Sequence, residues 1–219
     1  MLDRFHPPVE EYLETMLALD EEGVPVIQAR IAERLGRSAP SVSEMLDRLI
    51  DDGYVTRDGR RLSLTESGRT LAEKVVRKHR LAERLLVDVI GLEWHKVHRE
   101  AGRWEHVISD DVEARLVELL GDPATCPHGN PIPGSAHRGE VVQSVVLTQA
   151  LPGRVRVARI SEKVEMDDDA LKLLAGARLI PGSEASVVSS GPDGVVLETE
   201  AGERTLPAAL ASLMFVSRS

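Results

Sequence analysis

Two short helical patterns joined by a tight turn are the feature that most constrains the fold of this 219-residue chain. Residues 28–35 have apolar positions of helical period, and Gly36, a residue typical of helix C-termini, follows them. Ser38 can cap a further helix, and Pro40 suits the first turn of that helix. The sequence therefore predicts two helices separated by a turn of only a few residues.

A β-hairpin is predicted immediately after these helices. Residues 54–57 and 61–64 bracket Asp58-Gly59-Arg60, and an Asp-Gly pair between two short strand-like segments is a strong hairpin signal. An amphipathic helix that begins near Pro8 precedes the whole unit. Residues 8–64 are thus predicted to form a winged helix-turn-helix.

The rest of the chain changes from helical to strand periodicity. Helices are predicted from Thr65 to about Ile90, over 93–106, and over 109–120 with Ser109 as cap. A Pro- and Gly-rich segment then precedes short strands at 142–149, 154–160, 184–190, 194–199 and 203–206, with one helix near 168–175. The predicted fold class is mainly α with a small β-barrel domain, and the expected domains are 1–65, 66–140 and 141–219.

Composition limits the classes of function. The formal net charge is −9, yet residues 24–84 carry 13 basic and 9 acidic side chains, so a DNA partner is not excluded. One cysteine excludes an internal disulfide framework. No apolar run approaches the roughly 18 residues of a membrane helix, and the N-terminus lacks a secretory signal. A cytoplasmic protein with no membrane partner is expected.

The second helix of the helix-turn-helix predicts a DNA-reading surface. A helix of this size fits the major groove, small and hydroxyl side chains permit close approach to base edges, and arginines can pair with phosphates. A solvated face on a protein-interaction module is the alternative. The candidate contact residues are Arg30, Arg37, Ser38, Ala39, Pro40, Ser41, Ser43, Glu44, Arg48 and Arg60. Glu44 would face DNA unpaired unless it accepts from a cytosine amino group or points away.

Histidines cluster in the middle of the chain, where six of the seven lie between positions 79 and 137. His79 and Glu83 lie four residues apart on one predicted helix, and Cys126 and His128 flank a single residue. Mixed N, O and S donors suit Mn(II), Fe(II), Co(II), Ni(II) or Zn(II). Chance proximity on helix surfaces is the alternative, and a metallohydrolase or a metal-storage protein are competing functions. No H-E-x-x-H motif supports hydrolysis, so no enzymatic activity is expected.

Several longer segments resemble a known family. Residues 29–35, 77–86, 96–107 and 129–134 are similar to the diphtheria toxin repressor (DtxR) family of metal-dependent transcriptional repressors, and the likeness covers nearly the whole chain. The resemblance implies an N-terminal winged helix, a helical dimerisation and metal domain, and a C-terminal SH3-like domain. An independent peptide-binding β-barrel is the alternative for the last of these.

The resemblance also implies two metal sites per chain. The primary site would use Glu11, Glu14, Glu105 and His106. The ancillary site would use His79, Glu83, His98 and Asp167, with Cys126 and His128 matching a Cys-Pro-His-Gly pattern of manganese-responsive members. Gly102 stands where the family usually supplies Cys or Glu, so one primary ligand is missing, and Ala170 stands where some members place Gln.

The function implied is a metal-gated homodimer that binds an operator and represses genes of metal-ion uptake, with no small organic substrate. Glu11 stands where iron regulators have Met, which makes the primary site richer in oxygen and favours Mn(II). An Fe(II)-dependent or dual Mn/Fe repressor is the alternative.

Overall fold

The computed structural model describes residues 7–137, 139 and 143–218 of the chain. The contacts within it group the residues into two compact units. The first comprises the residues up to Lys78 together with Glu105–Val107, and the second comprises His79–Trp104 and the residues from Ile108 onward. Among the described residues, no helix has both the length and the apolar character needed to cross a bilayer.

The first unit is a winged helix-turn-helix, as the sequence predicted. Its elements are α1 (Pro7–Glu21), α2 (Gln28–Leu35), α3 (Ala39–Asp51), β1 (Val55–Asp58), β2 (Arg61–Leu64) and the first part of α4 (Glu66–Arg84). Gly36 ends α2 in the left-handed conformation with φ 62°, which glycine adopts at no steric cost. The Ser38 side chain accepts a hydrogen bond from the Ser41 amide and caps α3.

One apolar core holds the first unit together. It includes Leu13 of α1, Ile31 of α2, Leu46 of α3 and Leu62 of β2, none of which is more than 2% exposed. The hairpin is antiparallel, and Val55 pairs with Leu64 at its open end. Since α1 and α3 share this core, α1 supports the position of α3.

The predicted helical segment that runs to about Ile90 is confirmed. Its hydrogen-bonding pattern changes from α-helical to π-helical near its end. After α4 the chain forms a π-helix at Leu85–Ile90. The predicted helix over 93–106 is shorter, because a 3₁₀ turn at Trp94–Lys96 precedes α5 (Val97–Trp104). The last helix of this group, α6 (Asp110–Leu120), begins at the predicted Ser109 cap.

The strands that follow form one antiparallel sheet in the order β3-β8-β4-β5-β6-β7. The elements in chain order are β3 (Val145–Val146), β4 (Gly153–Ile160), α7 (Glu162–Glu165), α8 (Asp168–Gly176), β5 (Glu184–Gly191), β6 (Gly194–Thr199), β7 (Gly202–Pro207), α9 (Ala208–Ala211) and β8 (Met214–Arg218). Buried side chains from β4, β5, β6, β8 and α8 form its core. The prediction of a mainly α chain with a small β domain is confirmed.

Two strand predictions were wrong. The predicted strand 142–149 is a strand only at Val145–Val146, because Leu147–Gln149 turns into a 3₁₀ helix, and residue 142 lies outside the described residues. Strand β8, which pairs with both β3 and β4, was not predicted. Four of its five residues are buried, so it has no alternation of apolar and polar residues to reveal it.

Candidate metal centres and DNA-reading surface

Six metal-ligating side chains meet in the interior of the second unit, and we refer to them as the buried cluster. Its members are His79 and Glu83 on α4, His98 on α5, Cys126 and His128 in the loop after α6, and Glu165 at the end of α7. Five of these six were predicted as ligands from the sequence, and the structure brings all five together.

Two carboxylate oxygens lie at the centre of the buried cluster. Oε1 of Glu83 lies 3.1 Å from Nε2 of His79, 3.2 Å from Nδ1 of His98 and 3.3 Å from Nδ1 of His128. Oε2 of Glu165 lies 3.1 Å from Nδ1 of His98 and 3.0 Å from Nδ1 of His128. Ligands at right angles around an ion with bonds of about 2.1 Å lie about 3.0 Å apart, so the spacing suits a divalent cation.

Some polar atoms of the buried cluster lack the partners that buried groups require. Glu83 and His128 are both 0% exposed. Within the described part of the chain, Oε2 of Glu83 and both ring nitrogens of His128 have no well-formed hydrogen bond. A buried polar atom without a partner costs about 1–3 kcal/mol, and ligation of a cation would satisfy Oε2 of Glu83 and one ring nitrogen of His128.

The charged groups of the buried cluster shift one another's pKa values. Burial alone would raise the pKa of Glu83, but His128 and His79 lower it well below its ordinary range. Burial alone would lower the pKa of His98, but hydrogen bonds to Glu165 and Glu83 raise it to about 9. Burial and the Glu83 charge raise the pKa of Cys126 to about 12, so its thiol is protonated until a metal ion displaces the proton.

Backbone geometry fixes the loop that carries Cys126 and His128. The His128 carbonyl accepts a hydrogen bond of 2.9 Å from the Ile160 amide at the end of β4. Gly129 has φ +86°, and a Cβ there would lie 2.1 Å from the Ala158 carbonyl oxygen, so only glycine permits this approach. The Trp94 ring packs against the His128 ring with 4.8 Å between the ring centroids and a tilt of 44°.

Asp167 does not lie in the buried cluster, contrary to the prediction. Its Oδ1 accepts hydrogen bonds from the amides of Asp169 and Ala170 and caps the N-terminus of α8. Glu165, two residues earlier, supplies the carboxylate instead and also accepts a 2.6 Å bond from Asn130. No spacing in the sequence distinguishes Glu165 from the acidic run at 167–169, because the short helix α7 that orients it was not predicted.

A second group of acidic and histidine side chains lies in the first unit, and we refer to Glu10, Glu14, Glu105 and His106 as the α1 cluster. Nδ1 of His106 donates to Oε2 of Glu10 over 2.5 Å, and Nε2 lies 3.1 Å from Oε1 of Glu105. A carboxylate oxygen of Glu14 lies within 4.8 Å of one of Glu105. The carboxylates of Glu10 and Glu105 raise the pKa of His106 to about 10.

Glu11 does not join the α1 cluster, contrary to the prediction. Its side chain is 40% exposed, and its Oε2 accepts a 2.8 Å hydrogen bond from Arg37, which also binds it as an ion pair. Glu10 takes its place beside His106. Both residues are adjacent to Glu14 on one helix face, at spacings of four and three residues, so the sequence spacing could not choose between them.

The predicted DNA-reading residues lie on the surface of the first unit. All of them are exposed except Ser43, which is partly buried. Two of the arginines already have acidic partners, since Arg30 pairs with Glu33 and Arg37 with Glu11, each at 2.8 Å. The exposed face at the start of α3 carries hydroxyl groups at Ser38 and Ser41, which suit contacts to bases or phosphates.

Comparison with protein families gives two matches. Residues 4–61 match a family model described as the N-terminal DNA-binding domain of the iron dependent repressor. Residues 65–134 match the metal binding and dimerisation domain of the same repressor.

Similar proteins cover almost the whole chain. The iron-dependent repressor IdeR of Mycobacterium tuberculosis is 45% identical over 95% of this chain and 96% of its own. The diphtheria toxin repressor of Corynebacterium diphtheriae is 47% identical over 82% of this chain and 83% of its own. Among solved structures, a manganese-dependent transcriptional repressor in complex with manganese superposes with a TM-score of 0.83 at 32% identity, covering 96% and 100% of the two chains.

Proposed function

The chain belongs to the diphtheria toxin repressor family of metal-dependent transcriptional repressors, and from this premise we propose that Mn(II) at the α1 cluster activates it. Its fold combines a winged helix-turn-helix with an SH3-like β domain, and its partners are DNA and a second copy of the chain. The activated homodimer binds an operator and represses genes of metal-ion uptake. The three expected domains, 1–65, 66–140 and 141–219, remain part of this proposal.

The composition of the α1 cluster carries the proposal. It brings three carboxylates and one imidazole together and contains no sulfur. Hard oxygen ligands with one imidazole suit Mn(II) better than they suit metals that prefer thiolates. The carboxylates of Glu105 and Glu10 are 6% and 21% exposed, so they are partly desolvated and gain from a cation between them.

Metal binding at the α1 cluster can control DNA binding through the position of α1. Glu10 and Glu14 lie on α1, while Glu105 and His106 lie in the turn after α5 that groups with the first unit. A cation bound by these side chains would hold α1 against this turn. Because α1 and α3 share one core, holding α1 against this turn favours one position of α3. The effect is a population shift, limited by the difference in metal affinity between the two states.

DNA recognition would then use α3 and the wing. The start of α3 enters the major groove with Ser38, Ala39, Pro40 and Ser41, and the dimer presents two such helices to two half-sites. Arg48 on α3 and Arg60 at the tip of the wing are exposed and suit phosphate contacts. Arg37 would contact DNA once Glu11 releases it.

The buried cluster is the ancillary metal site in this proposal. Its three imidazoles, two carboxylates and one thiol are prepared for a cation by their spacing and by the unpartnered atoms of Glu83 and His128. When bound, an ion there would replace the protons on His98, His128 and Cys126, and the residues would keep their positions. Its role is to stabilise the second unit.

Fe(II) is the second candidate activator. The relatives at 45% identity are named iron-dependent repressors, and they match 95% of this chain. Glu10 and Glu14 argue for Mn(II), since the α1 cluster contains only oxygen and nitrogen donors. Affinity order alone does not separate the two ions, because Mn(II) and Fe(II) are neighbours at the weak end of the divalent series.

The experiment is a metal titration of DNA binding. High-affinity sites are first selected from random duplex DNA with the full chain in Mn(II). The metal-free chain is then titrated onto a selected duplex with Mn(II), and separately with Fe(II) under anaerobic conditions. Tighter binding at lower free Mn(II) than Fe(II) supports the proposal. A better response to Fe(II) transfers the assignment to iron, and equal binding with and without either metal overturns the gating.

A further inference from the structure

We propose that the buried cluster holds two divalent cations at once, bridged by the carboxylates of Glu83 and Glu165. This inference rests on the proposed function only in taking the buried cluster as a metal site. It concerns the number of ions and the residues that hold each one.

The donors of the buried cluster form two groups that share Glu83. One group contains His79, Glu83, His98 and Glu165, and the other contains Glu83, Cys126 and His128. Within each group one ligand atom of every residue lies within 4.8 Å of the others. One ion therefore fits between His79 and His98, and a second fits between Cys126 and His128.

Glu165 links the same two groups from another side. Its Oε2 lies 3.1 Å from Nδ1 of His98 in the first group and 3.0 Å from Nδ1 of His128 in the second. Oε1 of Glu83 is shared in the same way, at 3.2 Å and 3.3 Å from these two nitrogens. Each carboxylate is thus placed between the two groups, as a bridging ligand must be.

The number of donor atoms exceeds what one ion can accept. Two carboxylates offer four oxygens, three imidazoles offer three nitrogens, and the thiolate offers one sulfur. Oε1 of Glu165 already accepts a hydrogen bond from Asn130, which leaves seven donors, whereas octahedral Mn(II) and similar ions take six. With one ion, Oε2 of Glu83, which has no hydrogen-bond partner among the described residues, would remain unsatisfied unless it chelated the same ion. With two ions, Glu83 can give one oxygen to each, while Oε2 of Glu165, which lies against both groups, bridges them and Oε1 keeps its bond from Asn130.

The two positions differ in chemistry. The position between His79 and His98 has only nitrogen and oxygen donors, whereas the other includes the Cys126 sulfur. A thiolate favours softer ions, so the two positions differ in their preferred metal. The sulfur also supplies a spectroscopic label, because a Co(II) ion bound to it has a sulfur-to-metal charge-transfer band that the other position lacks.

The test uses the full chain carrying Glu105→Gln and His106→Gln, which removes ligands of the α1 cluster. Co(II) is titrated anaerobically into this metal-free chain, and bound metal is counted after gel filtration. The expected result is two equivalents per chain, one of which develops the charge-transfer band. Adding Cys126→Ser should leave one equivalent without the band, and adding His98→Gln should leave one equivalent with the band.

A second measurement does not depend on how well the Cys126 and His98 variants fold. Two equivalents of Mn(II) are added to the Glu105→Gln/His106→Gln chain, and the electron paramagnetic resonance spectrum is recorded. Two carboxylate-bridged Mn(II) ions are expected to give a broad, exchange-coupled spectrum in place of the six-line pattern of isolated Mn(II). Binding of one equivalent, or an isolated six-line signal from bound metal, overturns the inference.

Failure of this inference is distinguishable from failure of the proposed function. A single bound ion in the buried cluster leaves the metal-gated repressor intact. Conversely, two ions in the buried cluster together with DNA binding that ignores Mn(II) supports the inference and overturns the gating. A buried cluster that binds no Co(II) overturns the inference and removes the ancillary site from the proposed function as well.

Discussion

The two clusters of acidic and histidine side chains differ in how the chain assembles them. The α1 cluster draws on one helix and one turn, and His106 and Glu10 within it are 12% and 21% exposed. The buried cluster draws on four separate segments, and Glu83 and His128 within it are 0% exposed. The first is rich in carboxylates, whereas the second is rich in imidazoles and includes a thiol.

In the proposed function, this difference separates a metal-responsive site from a structural one. The charges of the buried cluster are balanced before any metal arrives, because the raised pKa values of His98 and His128 keep these histidines protonated beside Glu83 and Glu165. The α1 cluster is more exposed than the buried cluster and joins α1 to the turn after α5, so an added cation can change how closely these two segments are held. A site that responds to metal concentration needs two states of similar free energy, which the α1 cluster offers more readily.

Replacing Glu83 should have the largest effect and tests whether charge holds the buried cluster together. Glu83→Ala leaves Glu165 as the one carboxylate beside the three imidazoles of the buried cluster, and we expect a loss of about 3–5 kcal/mol in the free energy of unfolding. Urea unfolding in the presence of a chelator measures this loss. The matched control is Glu93→Ala, since Glu93 is an exposed partner of Lys96 and its removal should leave the free energy of unfolding almost unchanged. A loss below about 1 kcal/mol for Glu83→Ala would contradict the charge balance.

Raising the pH should weaken the metal-free fold. The pKa of His98 is raised from 6.5 to about 9 and that of His106 to about 10, so their protonated forms stabilise the folded state. This stabilisation is fully present below pH 6.5 and is lost as the pH rises through 9 and 10. Each group contributes a slope of at most about 1.4 kcal/mol per pH unit. Urea unfolding in chelator at pH 7 and pH 10 measures the loss, which saturating metal should reduce.

The variant His98→Gln supplies the control for this pH dependence. It removes one of the titrating histidines, so the fall in stability between neutral and alkaline pH should become shallower. An unchanged slope in the variant would show that other groups cause the alkaline loss.

Glu10 and Glu11 are neighbouring carboxylates with different contacts, and replacing each of them in turn tests which one binds the metal. Glu10 contacts His106, whereas Glu11 pairs with Arg37 on the surface. Glu10→Gln should lower the affinity for Mn(II) about tenfold, which corresponds to about 1.4 kcal/mol. Glu11→Gln should change it less than about twofold. Mn(II) titration followed by electron paramagnetic resonance measures both, and the opposite ranking would restore Glu11 as the ligand.

The smallest effect is expected at Gly102. This residue is exposed on α5, and a Cβ there would meet nothing within 4 Å. Gly102→Ala should therefore raise the free energy of unfolding by about 0.5–1 kcal/mol, because alanine loses less backbone entropy in a helix. Mn(II) affinity should not change. A drop in stability would show that the backbone at 102 requires glycine.

The sequence predicted the winged helix-turn-helix well because local signals specify it. Gly36, Ser38 and the Asp58-Gly59 pair each act through their own backbone or that of a neighbour, so their effect is readable without tertiary contacts. The buried strand β8 has no such signal, because it is defined only by its pairing with β3 and β4.

The residues of the candidate metal sites also divide into those that local sequence spacing predicts and those that only tertiary contacts determine. His79 and Glu83 could be paired from helical spacing, and their contact is present in the structure. The choice of Glu165 over Asp167 depends on the cap of α8, and the choice of Glu10 over Glu11 depends on Arg37. Both choices are set by competing hydrogen-bond partners from elsewhere in the same unit, which periodicity does not reveal.

The most direct measurement of the metal gate is the DNA affinity of His106→Gln at saturating Mn(II). Glutamine keeps a polar side chain of similar reach but removes the imidazole ligand, and Glu118→Gln, an exposed change on α6, serves as the matched control. With a selected duplex, Mn(II) should tighten binding of the wild-type chain and of the control, while His106→Gln should bind at least about tenfold more weakly, near the metal-free level. Wild-type affinity in the variant, with full Mn(II) dependence, would contradict the assignment of the α1 cluster as the gate.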